Sequence, residues 1–128
     1  IITPNETEAE FYSGIALKEN FPEKWEDAVA DSLLGMGAKN VIITLGKRGA
    51  CIANKEWKKT IEGFKINAVD ATAAGDAFNG ALAVALSEGK TMEESVIFAN
   101  GAGALAASKL GAQSSLCTRT ELEIFLKK

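Results

Sequence analysis

Two carboxylates punctuate the stretch VDATAAGDAFNGAL at residues 69–82. Asp70 opens it, and Asp76 stands where an apolar helical pattern begins, behind Ala73, Ala74 and Gly75. Residues with so little side chain leave backbone N–H groups uncovered, and the N–H groups and dipole of a helix N-terminus bind anions. Small residues at 73, 74 and 75 would let a phosphate approach the backbone, and Asp76 beside it would accept a proton from a substrate hydroxyl. The structural alternative is that Asp76 complements the helix dipole and the alanines pack. Spacing alone leaves both readings open.

Two other stretches have chemical potential. TLGKRG (Thr44, Leu45, Gly46, Lys47, Arg48, Gly49) is a glycine-bounded turn at a strand end. It is not a Walker A sequence, which needs a longer loop ending in Gly-Lys-Ser/Thr. It would line the phosphates or ribose of a nucleotide, or else form an ordinary turn into a hairpin with Lys47 and Arg48 solvated. PNETE at residues 4–8 puts Asn5 and Glu8 one helical turn apart. They would hold water around a magnesium ion near phosphates, or close a capping box.

The elements that position these residues alternate along the chain. Ile1 to Thr3 reads as a strand end, and a short helix runs toward Gly14. After Pro22 the spacing of Trp25, Val29, Leu33 and Met36 predicts a helix that stops at Gly37. NVIITLG is a β-branched run of the kind buried on both faces. ACIAN and WKKTI predict a hairpin around Asn54, Lys55 and Glu56, and FKINAV one further strand ending at Asp70. A helix follows Gly75 with Phe78, Leu82, Ala85 and Leu86 on one stripe. Thr91 and Glu94 form a capping box before a helix rich in small residues, ANGAGALAAS. KLGAQSSLC is a loop, and Thr118 with Glu121 caps a last helix through Leu122, Phe125 and Leu126. This alternation predicts an α/β fold with a mainly parallel sheet, whose ligands gather at the carboxyl ends of strands.

Composition narrows the function. The chain has 128 residues, 47% of them hydrophobic, and a net charge of −3. No basic field favours nucleic acid, and no apolar run has membrane-spanning length. Cys51 and Cys117 are too few and too far apart for a disulfide framework or a zinc site. The absence of histidine excludes His-dependent triads and His-ligated metals. A reducing, cytoplasmic setting fits best. The opening, IITPNETEAEF, starts without methionine on an apolar pair running into a turn, which reads as a strand end from the interior of a larger protein.

Taken in this order, the signals resemble the ribokinase-like sugar kinase family, the PfkB family. AAGDAFNGAL is similar to its C-terminal signature, ITPNETEAE to its Asn-x-x-Glu motif and ITLGKRGA to its nucleotide-binding turn. KLGAQSSLC resembles the segment that helps hold a monovalent cation. The resemblance covers essentially the whole chain. It implies a three-layer α/β/α architecture of which residues 1–128 are the C-terminal, nucleotide-binding and catalytic part, without the sugar-binding part and lid. The implied reaction is ATP-dependent phosphorylation of a sugar, D-ribose to D-ribose 5-phosphate, because the double alanine before Gly75, ITPNETEAE and GAQSS look most like the ribose-specific members.

By the same resemblance Asp76 is the catalytic base and touches the sugar, and the backbone of Ala74, Gly75 and Asp76 is the anion hole. Asn5 and Glu8 organise Mg²⁺ and phosphates. Residues 44–49, with Asn100, line the nucleotide, and K⁺ sits against Asp70, Thr72, Ala106, Lys109, Gly111 and Ser115, mostly through backbone oxygens. Ala71 and Ala77 depart from the pattern, standing where threonine is common. The complete protein is expected to be a homodimer with no nucleic-acid or membrane partner. Another kinase of the family, acting on fructose or 2-keto-3-deoxygluconate, and a noncatalytic nucleotide-binding fragment stay open.

Overall fold

The computed structural model describes residues 1–17, 22–109 and 117–127. They divide into two compact units, Ile1–Ile61 and Glu62–Lys128.

In the first unit the chain enters alongside strand β1 (Val41–Thr44), making parallel bridges Ile2↔Val41 and Asn5↔Thr44. The N–H of Ile42 donates to the Ile2 carbonyl at 2.9 Å and that of Thr44 to the Pro4 carbonyl at 2.9 Å. Helix α1 (Glu6–Ser13) follows at once and ends at Gly14, whose φ of 72° is the left-handed value that glycine adopts without strain. Helix α2 (Pro22–Gly35) precedes β1. Beyond β1 come β2 (Ala50–Ala53) and β3 (Lys58–Ile61), in the order β1-β2-β3. The predicted hairpin is present, with Ala53 opposite Lys58 and Cys51 opposite Thr60.

The sheet differs from expectation in pairing. All three strands pair antiparallel, and parallel pairing among the described residues is confined to the two bridges. The reason is connection length: β1 and β2 are joined only by the turn at residues 45–49, whereas a parallel neighbour needs a crossover of about a dozen residues or more. Alternation along the strands puts Val41, Ile43, Cys51 and Ala53 into one core with Trp25, Val29 and Leu33 of α2 and Ala9 of α1. Ile42 and Ile52, on the opposite face, are buried too, as the unbroken β-branched run implies. Met36 does not join this core. Helix α2 stops at Gly35, so Met36 lies beyond the stripe that predicted it and is exposed.

Among its described residues the second unit contains three helices, α3 (Ala74–Ser87), α4 (Met92–Ala107) and α5 (Arg119–Leu126). The capping box at Thr91 and Glu94 is formed, and Thr118 accepts the Glu121 N–H at 3.2 Å. The glycines of α4 let its neighbours come close. A Cβ on Gly101 would lie 2.8 Å from Leu126 Cδ2, and one on Gly103 would lie 3.3 Å from the Ala74 carbonyl oxygen. Ala77, Ala85, Phe98, Ala102, Ala106 and Leu122 form the core. FKINAV is not a strand. Of its apolar residues Phe64 serves helix packing instead, meeting Phe125 edge-on with ring centroids 5.0 Å apart. The N–H of Val69 donates to the carbonyl of Ala107 at the end of α4, at 2.7 Å. No helix among the described residues is long and apolar enough to cross a membrane.

Candidate active site

The predicted residues fall into two groups, one in each unit. In the second unit the group is built on the start of α3. Helices α1, α4 and α5 begin on a side chain that accepts a backbone N–H, whereas α3 begins on Ala73, which has none to offer. The Ala74 N–H donates to the Ala71 carbonyl at 3.1 Å, and the first bond of the helix runs from the Ala77 N–H to the Ala73 carbonyl at 3.0 Å. Between them lie the N–H groups of Gly75 and Asp76, at positions where an α-helix supplies no acceptor of its own. Both residues are exposed, and a Cβ built on Gly75 meets nothing within 4 Å. Asp76 adds a carboxylate to the same turn. The arrangement offers two bare donors and an acid to whatever docks there. Of the three N–H groups assigned to the anion hole, that of Ala74 is already used to shape the turn.

Asp70 folds back on its own loop. Its Oδ1 accepts the Thr72 backbone N–H at 2.9 Å and also the Thr72 hydroxyl. Its backbone N–H donates to the Ala107 carbonyl at 3.0 Å, and Lys109 N–H donates to the Ala106 carbonyl at 3.2 Å. Four of the six residues assigned to the cation therefore gather where this loop meets the end of α4. The other two, Gly111 and Ser115, lie outside the described residues. The Lys109 ammonium pairs with Glu121 at 2.8 Å, which holds the Glu121 carboxyl below the usual range. Asn100 is buried on α4, with its Nδ2 facing the Glu62 carbonyl at 3.5 Å.

In the first unit Asn5 and Glu8 form the capping box. Glu8 Oε2 accepts the Asn5 N–H at 2.9 Å, and Asn5 Oδ1 accepts the Glu8 N–H at 2.8 Å. Both are exposed, and the bridge Asn5↔Thr44 sets them beside the end of β1. There Gly46–Arg48 makes one turn of 3₁₀ helix closed by the Leu45 N–H on the Gly49 carbonyl at 2.9 Å. Gly46 and Gly49 have φ of 59° and 96°, values that allow this reversal only to glycine without strain. Lys47 is exposed, but Arg48 is not simply solvated: its guanidinium pairs with Glu26 of α2.

Glu26, 2% exposed, was missed by sequence reasoning. Its signal was an acid spaced four and seven residues before Ala30 and Leu33, on the face of α2 that packs inward. Burial, and secondarily the charge of Glu26, push the Cys51 thiol up to about 11, which leaves it protonated and unreactive.

Known proteins resemble this chain closely. A ribokinase of Haemophilus influenzae is 42% identical over 127 residues. The crystal structure of a ribokinase from Thermotoga maritima is 52% identical with a TM-score of 0.86, over 98% of this chain and 41% of the other. An Arabidopsis thaliana ribokinase, solved with ribose and ATP, is 35% identical with a TM-score of 0.87, over 98% of this chain and 40% of the other. Fructokinases are also among the relatives. The fold is thus ribokinase-like, and the chain spans 40% of the length of the Haemophilus relative. The family model for pfkB carbohydrate kinases matches residues 1–119, taking in the start of α1, the glycine turn and the bare start of α3 alike, and the chain belongs to that family.

Proposed function

We propose that this chain is the nucleotide-binding and catalytic portion of an ATP-dependent sugar kinase that converts D-ribose and ATP to D-ribose 5-phosphate and ADP. The observation that carries the reading is the start of α3, where an exposed carboxylate and two uncapped N–H groups share one helical turn. Phosphoryl transfer needs positioning and charge stabilisation above all. The Asp76 carboxylate takes the proton of the attacking sugar hydroxyl. The N–H groups of Gly75 and Asp76 donate to the oxygens of the phosphoryl group as charge shifts onto the leaving phosphate. Residues 44–49 and Asn100 line the nucleotide.

Two cations fit the residues present. Asn5 and Glu8 are exposed hard-oxygen donors, suited to a magnesium ion held through water. Magnesium would neutralise charge on the phosphates. Asp70 lies against the carbonyl end of α4, where the helix dipole is negative, a donor set suited to potassium. Thr72, Ala106 and Lys109, with Gly111 and Ser115, complete that set in this reading. Ribose as substrate is supported by the relatives named ribokinase, and fructose is the second reading because fructokinases are among the relatives. The complete protein is read as a cytoplasmic homodimer.

The test is a coupled ADP-release assay on the full-length protein with each sugar. Asp76→Asn should lower kcat by a factor on the order of 10² to 10⁴ and leave the KM for ATP nearly unchanged. Replacing K⁺ by Na⁺ at equal ionic strength should lower activity of the unaltered protein. Near wild-type kcat in Asp76→Asn would remove the base from the mechanism. No turnover of either sugar by the intact protein would favour a noncatalytic nucleotide-binding role.

A further inference from the structure

The loop that leads into α3 rests at both ends on α4. At its beginning the Ala107 carbonyl accepts the N–H groups of Val69 and Asp70, at 2.7 and 3.0 Å. At its far end Gly103 faces the first turn of α3, where an added Cβ would lie 3.3 Å from the Ala74 carbonyl oxygen and 3.8 Å from Phe78 Cβ. Residues 103 and 107 are four apart and so share one face of the helix. We propose that Gly103 is a positioning residue for the anion hole. Having no side chain, it lets α4 seat the first turn of α3 at the distance that aligns the Gly75 and Asp76 donors with the Asp70 loop. The inference rests on the catalytic reading of the α3 start.

The atom that Gly103 faces makes the argument. A backbone carbonyl in a helix cannot swing aside, so a methyl at 103 must push the Ala74 peptide, and with it the two donors that follow. Gly101 is a natural contrast. Its Cβ would meet Leu126 Cδ2 at 2.8 Å and Leu122 Cδ1 at 2.9 Å, the tips of side chains on α5 that can rotate. The sequence alone favours alanine at both positions, since glycine is among the poorest residues for a helix interior.

The experiment compares Gly103→Ala, Gly103→Val, Gly101→Ala and Asp76→Asn in the full-length protein, by steady-state kinetics and thermal unfolding. Because a misplacement of about 1 Å costs on the order of 10²-fold in rate, a shift of a few tenths should cost less. Gly103→Ala should lower kcat roughly three- to tenfold, and Gly103→Val more, with the KM for ATP within about twofold. Gly101→Ala should keep kcat within about twofold even if its Tm falls further. If Gly103→Val does not fold, the alanine variant decides. Wild-type kcat in Gly103→Ala beside an inactive Asp76→Asn overturns the positioning role and leaves the catalytic reading intact. An equal loss in Gly101→Ala also overturns it, since any loosening of α4 would then do the same. If Asp76→Asn stays active, the catalytic reading fails and the inference falls with it.

Discussion

At residue 76 one amino acid has two proposed functions that chemistry can separate. The carboxylate is the proposed base, and the backbone N–H is one of the bare donors of α3. Asp76→Asn removes the first and keeps the second, so its residual activity measures what the anion hole does unaided. Cys51 shows the opposite case, a potentially reactive group silenced by its surroundings. Burial, aided by the charge of Glu26, raises its thiol to about 11, and burial raises that of Cys117 as well. The sign follows from the neutral form being the one favoured in the fold. An unfolded chain loses the Cys51 proton first, so the thiol makes no difference to stability at neutral pH and lowers it as pH rises through about 9 toward 11. Alkylation at pH 8 followed by peptide mapping should find Cys117, which is partly exposed, modified before Cys51 in the folded protein. Cys51 should react at the rate of an ordinary thiol only after denaturation. Prompt labelling of Cys51 in the native state would contradict its assigned burial.

Among elements, the turn after β1 is held by glycines within and by one ion pair from outside. The Arg48 guanidinium reaches Glu26, 22 residues earlier in the chain, so α2 braces a turn whose own backbone is permissive. The two partners are unequally placed: the side chain of Glu26 is 3% exposed and that of Arg48 is 42% exposed. Losing Glu26 would let Arg48 turn to water, whereas losing Arg48 would leave a charge buried alone. Arg48→Ala should therefore destabilise by about 3 kcal/mol, in the range for breaking a buried pair from one side. Glu26→Gln should cost about 1 kcal/mol, the scale of one hydrogen bond. Combining Glu26→Leu with Arg48→Ala should recover part of the Arg48→Ala loss. Urea unfolding of the full-length variants measures all three, and equal costs for the two single changes would show that the pair is solvated after all. Each of α1, α4 and α5 is anchored by its own cap, and the uncapped start of α3 is held instead by α4.

For the whole molecule, length matters as much as any residue. The chain spans 40% of the Haemophilus ribokinase it resembles, and in kinases closure over the substrate excludes water and completes the catalytic arrangement. The 128-residue chain alone should bind nucleotide weakly and release negligible ADP with ribose, while the full-length protein turns over. Ribose-dependent turnover by the isolated chain near that of the full-length enzyme would show that the chain needs nothing more. Much of this protein was decided locally and is readable from its letters. The caps at Asn5, Thr91 and Thr118, the hairpin at residues 54–57 and the bare helix start at Ala73 depend on residues within a few positions of one another. What only the tertiary structure decided involves partners far apart in the chain. The spacing of Glu26 puts it on the inward face of α2 but does not name Arg48 as its partner, and FKINAV reads as a strand until the carbonyl of Ala107 and the ring of Phe125 claim it. Side-chain periodicity encodes which face is apolar, but not which neighbour will cover it or whose backbone will supply the hydrogen bonds.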